Sequence, residues 1–136
     1  MIKKISLLII TLFINTSIWA AGVSPMTIDG AVTVSAADAK ALFDNGALFV
    51  DVRKSSDWDA GRIPGAVHMD NKKGNFTSDA LSTQAAKDEN VVIYCNGESC
   101  PRSSKGSVEA VSWGYTNVKY FRDGFPAWKA AGYPVE

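Results

Sequence analysis

Two short runs of this 136-residue chain decide what it can fold into. Ala-Leu-Phe-Val-Asp-Val, residues 47–52, and Val-Val-Ile-Tyr, residues 91–94, are apolar almost throughout. A strand with one wet face alternates apolar and polar residues, so runs without alternation suit strands covered on both faces. Helical patterns surround them. Ser35 stands as N-cap before a helix over 36–45, with Asp38 three residues on as a weaker capping box. Asn45-Gly46 ends that helix through the left-handed preference of these residues. Further strands are expected at 31–34 and 118–121, with a weaker one at 66–69. Further helices are expected at 56–60, 78–87, 103–113 and 125–131, the 103–113 helix turning Val108, Val111 and Trp113 mainly to one face. Strands alternating with helices indicate an α/β fold, a parallel sheet of about five strands with helices on both faces.

The first residues stand apart from that pattern. Lys3 and Lys4 precede an apolar stretch from Ile5 to Ile14, and Asn-Thr-Ser-Ile-Trp-Ala-Ala follows. That order is expected of a secretory signal peptide over 1–20, cleaved after Ala20, leaving one domain over 21–136. The stretch is shorter than the ~20 apolar residues a membrane span needs. No stable membrane insertion is therefore expected once the signal is removed, and the destination is periplasmic or secreted. Without Lys3 and Lys4, 12 basic side chains face 14 acidic ones, a formal charge of −2. With no basic patch interleaved with aromatics, nucleic acid is a poor expectation as partner.

Both cysteines of the chain fall in one turn, Val-Val-Ile-Tyr-Cys-Asn-Gly-Glu-Ser-Cys-Pro-Arg-Ser-Ser-Lys-Gly, residues 91–106. Cys95 follows directly on an apolar strand run, at the end where ligands of parallel sheets bind. Four readings compete. Metal binding fails for want of ligands, since a structural zinc site takes four and the chain offers Cys95, Cys100 and His68. An idle core residue fits the usual burial of free cysteine, but Cys95 leads into a turn at Asn96-Gly97. A Cys95–Cys100 disulfide would close a very short loop and remove little chain entropy, although it could serve as a redox couple. A nucleophile has the clearest physical basis. Backbone N–H groups of the loop and the start of the next helix favour an anion, and the same field favours the reactive thiolate. Arg102 adds a fixed charge with bidentate geometry for an oxyanion.

Three blocks then narrow the chemistry. Leu48 to Asp70, with its Asp-Val-Arg and Gly-Arg-Ile-Pro-Gly-Ala, resembles the first signature of the rhodanese family. Val91 to Gly106 resembles its active-site segment, and Tyr120 to Glu136 its C-terminal signature around Gly, Trp and Gly-x-Pro. They occur in the family's order and span the chain from about Thr33 onward. The resemblance implies a rhodanese-like domain and a thiosulfate sulfurtransferase-like enzyme. In this family the loop cysteine takes sulfane sulfur from a small anionic donor such as thiosulfate or polysulfide. It then passes it to cyanide or a thiol, which can belong to a partner protein.

By position, Cys95 is the sulfur carrier, and the loop backbone at Asn96, Gly97, Glu98, Ser99 and Cys100 forms the anion cradle. Arg102 and Ser103 match the family's Arg-Ser. No cofactor or metal is implied. Six residues, Asn96 to Pro101, separate Cys95 from Arg102, where the common rhodanese loop has four and protein phosphatases five. The form resembles a rhodanese-like subgroup with a second loop cysteine.

Other residues have plainer readings. Asp51 and Arg53 are expected to form a structural pair, His68 to pack, and Trp58, Trp113 and Trp128 to be core aromatics. A carboxylate pointing into an anion cradle would raise the cysteine pKa, so Glu98 is expected to face solvent. Because a tight cradle and a bridge make different demands, the working form is expected to keep both thiols reduced. Cys100 would then resolve a persulfide or protect Cys95 by reversible oxidation. The rivals are a periplasmic thiol–disulfide protein using Cys95 and Cys100, and a non-catalytic rhodanese-fold binding module. A phosphatase fits least.

Overall fold

The structure is a computed structural model and describes residues 22–136. The expected signal segment, 1–20, lies outside the described residues. Five strands run in one sheet: β1 (Ala31–Thr33), β2 (Leu48–Asp51), β3 (Val67–His68), β4 (Val91–Tyr94) and β5 (Val118–Phe121). Their order is β1-β5-β4-β2-β3, and every pairing is parallel. Five helices connect and cover them: α1 (Ala36–Asp44), α2 (Ser55–Ala60), α3 (Ser78–Ser82), α4 (Arg102–Ser112) and α5 (Gly124–Ala130). Among the described residues, no helix is long and apolar enough to cross a membrane.

The two apolar runs are β2 and β4, and β4 lies at the centre between β5 and β2. All four β4 residues are buried, because each face of the sheet carries its own core. On one face, Val91 and Ile93 of β4 meet Leu81 of α3 and Ala110 of α4. On the other, Val92 and Tyr94 meet Ala39 of α1 and Phe125 and Trp128 of α5. That second core is aromatic, with Trp128 edge-on to Phe43, Phe49 and Tyr133.

The inner face of α4 corrects the expectation from its apolar residues. Val108 is exposed, and the buried face is Ser103, Ser104, Gly106, Ser107 and Ala110. Small residues let this helix approach the sheet closely. A Cβ added at Gly106 would already lie 3.4 Å from Ile93 and 3.5 Å from Phe76. The helix expected over 78–87 stops at Ser82 instead. There Ser82 Oγ donates to the Asp79 carbonyl and Thr83 Oγ1 to the Ala80 carbonyl, so side chains compete with the helical ladder. Of the three tryptophans among the described residues, Trp128 is fully buried, whereas Trp58 and Trp113 are only half-buried. Trp58 stacks on His68 at 4.9 Å, and Trp113 tilts against Phe76.

Candidate active site

The central strand delivers Cys95 to the carboxyl edge of the sheet, and the loop from 95 to 101 leads into α4. Cys95 is 1% exposed, while Cys100 keeps part of its surface in solvent. Their sulfurs are bonded, with the Cα atoms 6.3 Å apart. The sequence leads one to expect both thiols reduced in the working form, whereas here they are paired, at a separation inside the ~4.4–6.8 Å range of ordinary disulfides. The structure therefore holds the pair in its oxidised state.

The loop backbone is fixed by contacts that involve no sulfur. Phe125 N–H donates to the Cys95 carbonyl at 2.9 Å, and Cys100 N–H closes a turn onto the Gly97 carbonyl at 3.0 Å. That turn uses one of the donors expected to face the cradle. Gly124, at φ +63°, lies so close that a Cβ there would clash with the Cys95 carbonyl and stand 2.9 Å from Gly97 N. Residues before β1 close the other side. Ser24 N–H donates to the Glu98 carbonyl at 2.6 Å, and Ser24 Oγ to the Cys100 carbonyl at 2.7 Å. Arg122 in turn donates to the Ser24 carbonyl from Nε and Nη2. Sequence reasoning missed this clamp entirely. Ser24 belongs to no periodic pattern or motif, and Arg122 is one basic residue among many.

Arg53 does more than pair. It is 3% exposed and grips the Asp51 carboxylate through Nε and Nη2, with Nη2 2.7 Å from Oδ2. Its remaining edge donates to Asn96 Oδ1 at 3.2 Å and to the Gly61 carbonyl at 2.7 Å. Burial disfavours the guanidinium charge, but the Asp51 hydrogen bonds and charge outweigh it and raise the Arg53 pKa. Asn96 completes the bridge by donating to Asp57 Oδ2 at 2.9 Å. A structural pair at the end of β2 thus holds the residue next to Cys95.

Arg102 sits at the start of α4, but Nη1 is engaged by Asp70 Oδ1 at 2.8 Å and the Val52 carbonyl at 3.2 Å. Asp70 is 1% exposed. Burial would raise its pKa, yet backbone N–H groups of Lys72 and Lys73 and the Arg102 charge lower it below the usual carboxylate range. The expected oxyanion fork is therefore committed in part to a carboxylate. Ser103 is buried with an Oγ that has no hydrogen-bond partner among the described residues. Glu98 is exposed, and its carboxylate lies 3.3 Å from Arg122. Ser99 is exposed. His68 packs on Trp58, and its Nε2 lies 2.7 Å from the Arg53 carbonyl. It makes no link to Cys95.

Among the described residues no side chain caps α4, so the N–H groups of its first turn have no side-chain acceptor there. Beside the loop, a cleft of about 410 Å³ is lined by Arg53, Asp57, Gly61, Asn96, Phe125 and Lys129, among others. Among the described residues no group of three or more Cys, His, Asp or Glu side chains is placed to hold a metal. What the arrangement offers is a sulfur pair beside an uncapped helix start.

A model of the rhodanese-like domain matches residues 35–131. The chain belongs to this family. It is 33% identical over 99 residues to thiosulfate sulfurtransferase GlpE of Pseudomonas savastanoi pv. phaseolicola, covering 72% of this chain and 86% of that protein. Its fold is similar to that of the Alr3790 protein from Anabaena, with a TM-score of 0.65 and 27% identity, covering 76% of this chain and 90% of that one. A Rhodopseudomonas palustris protein of unknown function, described as a possible tyrosine phosphatase, is also similar: TM-score 0.65 and 30% identity over 82% of this chain and 98% of that one.

Proposed function

We propose that this rhodanese-family chain is an active sulfurtransferase that carries sulfane sulfur on Cys95. The observation that supports this best is Cys95 itself, at the carboxyl end of the central strand and ahead of a helix start without a side-chain cap. An anionic donor such as thiosulfate or polysulfide would be held by first-turn N–H groups and the helix dipole. The reduced Cys95 thiolate attacks the outer sulfur of the donor, the donor's S–S bond breaks, and the remainder leaves as an anion. Cys95 is left as a persulfide. A thiol or cyanide acceptor then takes that sulfur and restores the thiolate. No general base is needed where the field of the loop keeps the thiol ionised. On the expected signal segment, the reaction takes place in the periplasm or outside the cell.

This chemistry requires the Cys95–Cys100 bond to be open, so the bonded form is a resting state of the sulfurtransferase. The bonded pair is also the specific support for a second reading, a thiol–disulfide protein that transfers electrons and no sulfur. Mass spectrometry separates the two. Reduced, desalted protein treated with thiosulfate or polysulfide should gain ~32 Da, one sulfur atom, and Cys95→Ser should gain nothing. Loading that survives in Cys95→Ser would remove the carrier from this position. A wild-type protein that exchanges disulfides but never gains sulfur would favour the redox reading.

A further inference from the structure

Cys95 and Cys100 differ in access, and the loop around them is built to survive the loss of their bond. Cys95 is 1% exposed and Cys100 partly exposed, so an outside acceptor meets a buried sulfur, while Cys100 is already in bonding contact with it. The backbone is held by Phe125 N–H on Cys95 and by Ser24 on Glu98 and Cys100, none of which depends on sulfur. Opening the disulfide removes none of these donors or acceptors. A bridge between residues five apart also contributes little as a staple. These features suit a bond that forms and opens in turnover.

We infer that the centre has a second activity, reductive release of the carried sulfur as hydrosulfide, with the Cys95–Cys100 disulfide as its protein product. The inference rests on the persulfide reading above. The Cys100 thiolate attacks Cys95 Sγ, the inner sulfur of the persulfide. The bond between Sγ and the outer sulfur breaks, its electron pair leaves with the outer sulfur, and hydrosulfide departs with the persulfide proton. Sulfane sulfur is reduced by two electrons and the two cysteines are oxidised by two. Holding both sulfurs in one short loop makes the step intramolecular, which favours it over attack by a dilute external thiol.

Regeneration requires a dithiol, either small or on a partner protein. Its first thiolate attacks the more accessible Cys100 Sγ and expels Cys95 as thiolate. Its second thiol attacks the mixed disulfide and frees Cys100, leaving the reductant as a disulfide. Site of attack follows access, and Cys95 is the buried sulfur of the pair while Cys100 is partly exposed.

The experiment follows loaded protein in the absence of any added thiol. Reduced wild type and Cys100→Ser are loaded with polysulfide, desalted anaerobically, and sampled for hydrosulfide and intact mass. Wild type should release about one hydrosulfide per chain and settle about 2 Da below the reduced protein, as two hydrogens are lost on disulfide formation. Cys100→Ser should keep its sulfur and release none. Wild type that holds its sulfur as long as Cys100→Ser overturns the inference and leaves the sulfurtransferase standing. Failure of both proteins to load overturns the sulfurtransferase reading and this inference with it. In a second arm, oxidised wild type is treated with glutathione and trapped by alkylation. A glutathione adduct on Cys100 with Cys95 alkylated is the expected result, and an adduct mainly on Cys95 overturns the proposed direction.

Discussion

The start of α1 is capped by its own residues, whereas the turn from β4 into α4 is held from outside. In the first, two residues suffice. Asp38 N–H donates to Ser35 Oγ at 3.1 Å, and Ser35 N–H donates back to Asp38 Oδ2 at 3.3 Å. Local chemistry satisfies the helix start and leaves nothing for a ligand. In the second, residues 95–101 form the connection, and its partners come from Ser24, Arg53, Asp57, Gly124 and Phe125. The helix start receives no side-chain cap. Both turns serve parallel strands of one sheet, so strand geometry does not account for the difference. A turn that keeps its helix terminus available must obtain its rigidity from elsewhere in the chain.

The same contrast governs what the sequence reveals. Ser35 and Asp38 are three residues apart, and their bond is written in that spacing. The apolar runs of β2 and β4 are equally local signals, and they place Cys95 at the sheet edge before any coordinates are known. The clamp from Ser24 is 76 residues from Cys100, and the Arg53–Asn96 bond spans 43. No local pattern encodes such pairs. The seat of α4 was hidden for another reason. Its buried face is mainly serine and glycine, which allow close approach, while Val108 is exposed at 44% and only Val111 and Trp113 of the apolar set pack against the core. Arg102 illustrates the limit of reading charge: its role depends on Asp70, 32 residues away.

The sharpest way to break the imported turn is Arg53→Met. Removing the guanidinium leaves Asp51 buried without its charge partner and takes from Asn96 its contact with Arg53. Breaking one side of a buried pair costs about 3–5 kcal/mol. Denaturant unfolding should show a loss of that order, and any protein still folded should load sulfur poorly. Asp51→Asn combined with Arg53→Met should recover part of the stability, because no uncompensated charge remains, but should not recover loading. A double variant that loads as wild type would detach Arg53 from the site and leave it a structural residue.

A smaller effect is expected from Gly124→Ala, which intrudes on the Cys95 carbonyl from outside the loop. The left-handed backbone at Gly124 costs an alanine about 1–2 kcal/mol, and the clash with Cys95 adds to that. Because the alternative to strain is displacement of the Cys95–Gly97 segment, sulfur loading should fall more steeply than stability. The measurement is the rate of loading beside the denaturation midpoint in the same preparation. If the midpoint drops with loading unchanged, α5 absorbs the movement and its start does not position the loop.

Ser35→Ala should have the smallest effect and no effect on the chemistry. It deletes the acceptor for Asp38 N–H at a solvent-facing helix start, and water can replace part of what is lost. Loss of an N-cap costs about 1 kcal/mol. The self-contained turn sends nothing toward Cys95, so loading of the reduced protein, hydrosulfide release and the site of glutathione attack should match wild type. The value of this variant lies in its pairing with Gly124→Ala, since both change one residue at the start of a helix in the same sheet. Equal losses of stability with loading lost in only one would locate the function in the turn held from outside. Slower loading in Ser35→Ala would mean that the sheet transmits strain between its turns, and that the difference between them is one of degree.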